Sequence, residues 1–335
     1  MKDQVTLIII LHNRHSNLDR LLEFYNNFES VIYIADSSNE EHSFSKKINN
    51  SVRYEYTPDL TYTQKVERTL NCISTPYTVL CADDDFIIPE GLYKCVEFLK
   101  KNETYSCAQG LILRYYENTS NKKLRFDMLY DGDHSLSFDS PEERIAHLFK
   151  PYKSLLYAVH RTAVLKMAFE DAGVAFKNLY LNEYLTSLIP LVYGKSKDLP
   201  FLYQVREYCE TSDDKTAENI DTIINEKRYT TEYTSFLNHI VNKSMGTGAV
   251  KQTGEQLKRV FENVLKDYAN QVMHFKQIKV PLSKKFGAVI QSVPLIGSGL
   301  IQKRRLLAST KRLKKYLVNE DFQKLERIEK LIKNE

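Results

Sequence analysis

The chain has 335 residues, 42 % of them apolar and 27 % charged, a composition that excludes a disordered or fibrous protein and is ordinary for a globular one. Its five cysteines form no CxxC pair and no even framework, so we expect reduced thiols and a cytoplasmic location. The first four residues, Met1 to Gln4, lead straight into a strand pattern, so we expect no signal peptide, and no run approaches the roughly 20 apolar residues of a membrane span.

The charge is unevenly distributed along the chain. The total is +4, but residues 276–335 hold 15 Lys+Arg and 5 Asp+Glu, a net of +10, which leaves −6 on residues 1–275. Within this basic tail, residues 286–301 are apolar, interrupted by glycine and proline, and flanked by lysines. The tail favours peripheral docking on an anionic membrane surface, or packing on the protein itself or on a second copy in a homo-oligomer. No zinc-ligand or aromatic RNA-binding motif is present, so we expect no nucleic-acid partner.

Strand and helix patterns alternate in the first third of the chain. The strand patterns are Val5–Leu11, Val31–Ala35, Val52–Tyr56 and Tyr77–Ala82. The first helix pattern follows Ser16, its expected N-cap, and two more span Thr63–Ile73 and Glu90–Leu99. This alternation predicts an α/β fold with a mainly parallel, doubly wound sheet flanked by helices. The residues that follow the strands, His12, Asn13, Arg14, Asp36 and Asp83–Asp85, are expected to line one edge of that sheet.

The rest of the chain is less regular. Residues 105–116 and 124–129 are predicted to form a hairpin, which is followed by a helix capped by Ser140, a strand at 155–159 and a helix from Thr162 to Ala172. A helix capped by Asn182 and an edge strand at 199–206, which contains Pro200, come next. From Asp213 onward the pattern is mostly helical and ends in an amphipathic helix at Asn319–Lys333. We therefore predict a catalytic domain at 1–210, with a nucleotide-binding half at about 1–104 and an acceptor half at about 105–210. A helical region with the basic tail follows at 211–335.

Three consecutive carboxylates, Asp83, Asp84 and Asp85, come directly after a buried strand. Adjacent acids repel one another unless a cation lies among them. Hard oxygen ligands suit Mg²⁺ or Mn²⁺, with a substrate phosphate completing the coordination. The alternative is a purely structural role, in which the acidic turn caps the helix that begins near Pro89, but a cap needs only one aspartate. The pattern therefore predicts metal–phosphate chemistry at this turn.

These motifs together resemble those of family 2-like bacterial glycosyltransferases. A first strand that ends in His12-Asn13-Arg14 resembles the family's Tyr-Asn-Arg start, and a second strand that ends in Asp36-Ser37-Ser38 is also similar. The run Thr63–Leu70 before Tyr77–Leu80 resembles the family's K-x-N-x-x-L…Y-v-l pattern, and the aspartates followed by Pro89 look like its DxD region. The resemblance covers about residues 4–206.

The resemblance implies a GT-A fold and transfer of a sugar from a nucleotide-diphosphate donor to a glycan or lipid-linked acceptor, inverting by direct displacement, in cell-surface polysaccharide or glycoconjugate synthesis. By the family pattern, Asp36 contacts the base, Lys65 lies near the nucleotide, and Asp83 or Asp84 meets the ribose. Asp84 or Asp85 holds the Mn²⁺ or Mg²⁺, and Glu183 is the catalytic base. His12, Asn13 and Arg14 are further candidates for nucleotide-sugar binding.

The sequence also departs from the family pattern. A common version has Asp where this chain has Ala82, which leaves the alignment of the aspartates open by one residue. The Gln-x-x-Arg-Trp motif of processive polymerases is absent, which favours single transfer. Asp171 and Glu207 compete with Glu183 for the role of base. The alternative functions are a sugar nucleotidyltransferase, although the glycine-rich phosphate loop after the first strand is missing, and a non-catalytic polysaccharide-assembly scaffold that retains the fold.

Overall fold

The computed structural model describes residues 3–44, 51–117, 124–130, 132–170, 178–208, 220–290 and 313–333, with the backbone alone for residues 179 and 274–290. In chain order the elements are β1 (Val5–Leu11), α1 (His15–Phe24), β2 (Val31–Asp36), β3 (Val52–Tyr56), α2 (Tyr62–Cys72), β4 (Tyr77–Ala82), β5 (Phe86–Ile87), α3 (Pro89–Lys101), β6 (Tyr105–Glu117), β7 (Leu124–Met128), α4 (Pro141–Leu148), β8 (Val159–Arg161), α5 (Thr162–Glu170), α6 (Leu179–Tyr193), β9 (Lys195–Glu207), α7 (Ile220–Asn225), a 3₁₀ turn (Lys227–Tyr229), α8 (Thr230–Gly246), α9 (Gly254–Ile290) and α10 (Asn319–Lys333).

The described strands form one nine-stranded sheet in the order β3-β2-β1-β4-β8-β6-β9-β5, with β7 paired to β6. The first four strands in this order are parallel, as the alternation of strands and helices predicted. Beyond them the sheet is mixed, because β8 runs antiparallel to both β4 and β6, while β6 and β9 are parallel. The parallel part brings the ends of β1, β2 and β4 to one edge, as expected for an open α/β sheet.

Both faces of β1 are buried. Leu7 and Ile9 lie in a core cluster with α1, α3 and α10, whereas Ile8 and Ile10 lie in a second cluster with α2 and α5. Full burial on both faces explains why β1 is a continuous apolar run without polar alternation. A third cluster joins α4 and α6 to the C-terminal helices α7, α8 and α9. The C-terminal helices therefore share a core with the second half of the sheet domain.

The last helix, α10, packs against the first half of the sheet domain. Leu325 and Ile328 on its apolar face are buried in the same cluster as α1, which confirms the predicted amphipathic helix. Arg327 Nη2 donates hydrogen bonds to the backbone oxygens of Phe24 (2.9 Å) and Glu23 (3.3 Å) at the end of α1. A cation at this position satisfies carbonyls that a helix C-terminus leaves unpaired.

The apolar stretch of the tail, 286–301, lies mainly outside the described residues, so its membrane or oligomer role stays a prediction. Among the helices of the described ranges, none is long and apolar enough to cross a bilayer. The boundary predicted near residue 210 also falls outside the described residues, which resume at residue 220.

Two predicted helix starts were wrong. Helix α1 begins at His15, with Arg14 at the capping position, and not after Ser16. Helix α6 begins after Asn178, whose side chain accepts from the backbone N–H groups of Tyr180 and Leu181, and not at Asn182. Asn178 offers the same capping chemistry one turn earlier. Glu183 therefore lies in the second turn of α6.

Two predicted strands also differ. The strand predicted at 155–159 is a turn followed by the short β8, with Ala158 N donating to Leu155 O at 3.0 Å. The strand predicted at the sheet edge is β9, which lies between β6 and β5. Pro200 is tolerated there because the register of β6 and β9 shifts beside it, between the pairs Gln109/Asp198 and Leu111/Leu202.

Glycines allow β9 to lie close to its neighbours. A Cβ on Gly91 of α3 would lie 2.4 Å from Leu202 O, and a Cβ on Gly110 of β6 would lie 2.4 Å from Phe201 O. Both distances are shorter than any ordinary contact, so only glycine permits this approach. The approach matters for the site because β9 carries the partners of Asp85.

Candidate active site

The loops after β1 and β2 are tied together by Asn13. Its φ of 55° lies in the left-handed region, which asparagine adopts more readily than most residues. Its backbone N–H donates to Ser38 Oγ at 2.8 Å, and its Oδ1 accepts from Asn39 N at 2.9 Å. His12 adds a contact between its Nδ1 and Ser37 O at 2.9 Å. The side chains of His12, Asn13 and Arg14 are exposed at this edge, where a ligand can reach them.

Asp36, at the end of β2, is completely buried. Its Oδ1 accepts from the backbone N–H (2.8 Å) and the hydroxyl (2.5 Å) of Ser38, and its Oδ2 accepts from Tyr54 OH at 2.8 Å. The carboxylate thus shapes the loop that follows β2. Its predicted contact with a nucleotide base stays a prediction. Tyr54 was not foreseen as a partner of Asp36, because sequence alone does not reveal that β3 pairs with β2.

Lys65 of α2 lies behind the same edge and is only 2 % exposed. Its Nζ donates to Leu11 O at 2.5 Å and to Ser37 Oγ at 2.9 Å, so it spans the ends of β1 and β2. Burial lowers the pKa of Lys65 to about 8, while the charges of Asp36 and Asp83 act in the opposite direction. Lys65 is therefore a buried cation beneath the predicted nucleotide site.

Asp83 and Asp84 converge on one cation, the guanidinium of Arg14. Arg14 Nη1 lies 2.5 Å from Asp84 Oδ2 and 3.2 Å from Asp83 Oδ1. Burial raises the pKa of Asp83 to about 6 and the charge of Asp84 adds to this, whereas Arg14 opposes it. The geometry demonstrates that these two carboxylates can share a positive charge.

The carboxylates of Asp83 and Asp84 suit a metal ion whose coordination is completed by a bound substrate. No group of three or more His, Cys, Asp or Glu side chains in the described ranges is arranged to hold a metal. Mg²⁺, however, commonly takes only one or two carboxylates and completes its octahedron with waters and substrate phosphates. Asp83 and Asp84 can supply that number of protein ligands.

Asp85 has different surroundings, although it is the next residue. Its Oδ2 accepts from Gln204 Nε2 (3.0 Å) and Arg206 Nε (3.2 Å), and its Oδ1 accepts from Glu207 N (3.1 Å). The residue is 2 % exposed, and burial raises the pKa of Asp85 while Arg206 opposes this. A metal at Asp85 would have to compete with three donors from β9. Gln204 was not predicted as a partner of Asp85, because the sequence pattern does not reveal that β5 pairs with β9.

Glu183 lies on α6, in the second half of the domain. Its Oε1 accepts a hydrogen bond of 2.9 Å from Tyr152 OH. Burial alone would lower the pKa of Arg206, but Asp85 and, more weakly, Glu183 raise it. Arg206 therefore lies within electrostatic reach of both Asp85 and Glu183, which relates the predicted base to the aspartates.

The competing candidates for the base have other surroundings. Asp171 lies outside the described residues. Glu207 is exposed and accepts a hydrogen bond of 3.2 Å from Tyr115 OH. Two tyrosines near Glu183, Tyr62 and Tyr152, were not predicted from the sequence. Burial raises the pKa of both, and the charge of Glu183 adds to this. Isolated tyrosines carry no motif that would have revealed them.

Comparison with known proteins gives a structural likeness alone. No family model and no curated protein matches the sequence. A solved structure of S. aureus TarS 1–349 in complex with UDP-GlcNAc is similar, with a TM-score of 0.51 and 12 % identity, over 78 % of this chain and 71 % of that one. The structure of the longer S. aureus TarS gives a TM-score of 0.48 and 11 % identity, and there the match spans 43 % of that chain.

TarS is a GT-A-type glycosyltransferase. The chain has the glycosyltransferase fold. This confirms the GT-A fold that the motifs implied, on a sheet whose parallel half carries the aspartates. At this level of identity the likeness concerns the fold, and the activity has to be argued from the residues of the site.

Proposed function

We propose that the protein is a nucleotide-sugar-dependent glycosyltransferase that moves a sugar to a hydroxyl group of a glycan or lipid-linked acceptor in cell-surface polysaccharide or glycoconjugate synthesis. One observation carries the proposal. The partly exposed carboxylate Asp84 and the carboxylate Glu183 belong to the two halves of one GT-A fold, and Arg206, whose Nε lies 3.2 Å from Asp85, also has its pKa raised by the charge of Glu183. Transfer from a diphosphate donor needs these two functions, one at the leaving group and one at the acceptor.

The donor would occupy the edge formed by the ends of β1, β2 and β4. His12, Asn13 and Arg14 are exposed there, and Asp36 and Lys65 hold the two loops from behind. The ends of parallel strands are the usual place for a nucleotide in such sheets. UDP-GlcNAc, which the TarS fragment binds, is the first donor to test.

The metal would be Mn²⁺ or Mg²⁺ bound by Asp84, with Asp83 beside it near the ribose. When bound, it would neutralise the negative charge that develops on the leaving diphosphate. Arg14 now lies between these carboxylates, and its half-exposed side chain could turn to the diphosphate once a metal takes its place. Asp85, through its three hydrogen bonds to β9, would stabilise the conformation of the turn between β4 and β5.

Glu183 would be the general base. It would take the proton of the acceptor hydroxyl as the oxygen attacks the anomeric carbon from the side opposite the diphosphate. A single displacement of this kind inverts the configuration at that carbon. The hydrogen bond from Tyr152 would favour the ionised form that a base requires.

Glu183→Gln tests the proposal. We expect it to bind the nucleotide-sugar donor as tightly as the unmodified protein, because the change is on the acceptor side. Release of nucleoside diphosphate in the presence of acceptor should fall by about 10²–10⁴-fold, the usual contribution of a positioned base. Glu97→Gln, an exposed change on α3 paired with Lys100, is the matched control and should keep full turnover. Equal turnover in the two variants would assign the base to another residue.

A further inference from the structure

Tyr152 is held firmly at the point where it meets Glu183. It lies in the segment between α4 and β8, and its hydroxyl donates to Glu183 Oε1 at 2.9 Å. Its ring stacks on Phe149, with centroids 5.4 Å apart and planes 17° apart, and meets the edge of Tyr184 at 5.2 Å. Aromatic contacts of this kind fix the orientation of a ring. The hydroxyl of Tyr152 is therefore a preorganised donor.

A residue of the C-terminal helical region completes this aromatic group. Tyr268 of α9 lies 5.7 Å from the ring of Tyr152 and 5.0 Å from that of Phe149. The ring of Tyr268 also meets the ring of Tyr184 edge-on, with centroids 6.3 Å apart and planes 87° apart. Helix α9 thus reaches Glu183 through a single intervening ring.

We propose that Tyr152 is a positioning residue that keeps Glu183 ionised and correctly oriented, and that Tyr268 makes the helical region part of the acceptor side of the site. The inference rests on the proposed function of Glu183 as the base. A hydrogen bond donated to a carboxylate stabilises its charged form, and losing the donor favours protonation. The packed ring prevents the donor from turning away, so the acid is held in one orientation.

Further titratable groups lie near Glu183. The titratable groups whose pKa the charge of Glu183 raises lie on several elements: Tyr62 on α2, Tyr130 after β7, Tyr152, Tyr184 on α6, Arg206 on β9 and Tyr268 on α9. Arg206 is the cation in this set, and its Nε is engaged with Asp85. The tyrosines are neutral near pH 7, and the hydroxyl of Tyr152 donates to the Glu183 carboxylate at 2.9 Å.

Tyr152→Phe removes the hydroxyl and keeps the ring, so it separates the hydrogen bond from the packing. We expect the acidic limb of the kcat–pH profile to move up by about one pH unit, which is a fall in kcat of about tenfold at a fixed pH on that limb. The KM for the donor should not change. Tyr33→Phe is the matched control, because Tyr33 OH donates to Glu55 Oε2 at the same distance, 2.9 Å, on the far part of the sheet. Coincident profiles for Tyr152→Phe and the unmodified protein would overturn the inference.

A second measurement does not depend on turnover. The side-chain carboxyl of Glu183 can be titrated by ¹³C NMR, with its signal assigned by its loss in Glu183→Gln. We expect the titration midpoint of Glu183 to move to higher pH in Tyr152→Phe. A smaller move is expected in Tyr268→Leu, which keeps the Tyr152 hydroxyl but removes the ring that packs against Tyr152. Unmoved midpoints in both variants would contradict the positioning role. Absence of transfer from every donor together with moved midpoints would overturn the proposed function and leave the contact between Tyr152 and Glu183 established.

Discussion

Asp84 and Asp85 are neighbours in the sequence, but their carboxylates have different surroundings. Asp84 is partly exposed and meets the half-exposed Arg14, whereas Asp85 is buried and accepts three hydrogen bonds from β9. A ligand-binding carboxylate has to be reachable, while one that holds a loop has to be satisfied within the protein. The two residues should therefore respond differently to the same substitution.

We predict that Asp85→Asn lowers the free energy of unfolding by about 2 kcal/mol, because an amide cannot accept from donors on both of its sides and hydrogen bonds to a charged group are among the stronger ones. Asp84→Asn should cost much less, since its ion pair is exposed and its loss relieves repulsion with Asp83. Urea denaturation of the two variants side by side measures the difference. Equal losses would contradict the separate roles.

Lys65 gives a prediction about pH. Burial lowers the pKa of Lys65 from its ordinary 10.5 to about 8, so between these values the unfolded chain binds more protons than the folded one. The contribution of the Lys65 pKa shift to the unfolding free energy is therefore fully present above about pH 10.5, and it is lost as the pH falls to about 8. Relative to Lys65→Met, the unmodified protein should gain unfolding free energy between pH 8 and 10, by roughly 2 kcal/mol of the ~3 kcal/mol that the whole pKa shift represents.

Urea denaturation of both proteins at several pH values provides the comparison. The tyrosines that titrate in the same range are common to the two proteins, so their contribution cancels in the difference. A difference that stays constant from pH 8 to 10 would mean that Lys65 keeps an ordinary pKa in the folded protein.

The sequence predicted the residues at the strand ends but not most of their partners. His12, Asp36 and the aspartates follow strands with clear apolar patterns, and parallel strands bring their ends to one edge. Gln204, Tyr54 and Tyr152 reach the site through strand pairing, strand register or loop packing. These features depend on contacts between distant segments, which a local pattern does not contain.

At the scale of elements, helix α10 closes the core beside α1. Ile328 is fully buried in the same cluster as α1 and α3, although it is separated from them by more than two hundred residues. Its amphipathic pattern predicted a helix with one apolar face, but it could not indicate which surface the face would cover. A membrane, a second copy and the sheet domain all offer apolar surface, and α10 packs on the sheet domain.

We predict that Ile328→Ala lowers the free energy of unfolding by about 3 kcal/mol, because it removes buried methyl groups and leaves a cavity. Val318→Ala, just before the same helix, is the control, since Val318 is 61 % exposed and its loss should change stability by less than about 0.5 kcal/mol. Chemical denaturation of the full chain measures both. A similar, small effect of the two substitutions would mean that α10 is not part of the core.

At the scale of the whole molecule, the proposed site is built from distant parts of the chain. The first half of the sheet supplies the aspartates, and β9 and α6 supply Arg206 and Glu183. Helix α9 supports the surroundings of Glu183 through Tyr268, and α10 supports α1, which begins directly after Arg14. The helical region is therefore joined to both halves of the sheet domain, and its removal should disturb the site.

The proposed activity requires that the protein bind a nucleotide-diphosphate sugar through a divalent metal at Asp84. Thermal unfolding of the full chain with UDP-, GDP-, CDP- and TDP-sugars, each with Mn²⁺ and with EDTA, tests this requirement. A donor at 100 times its dissociation constant should stabilise the fold by about 2.7 kcal/mol, in Mn²⁺ only. The same donor should have no effect on Asp84→Asn and an undiminished effect on Glu183→Gln. Stabilisation by none of the donors, or stabilisation that persists in EDTA and in Asp84→Asn, would contradict the claim.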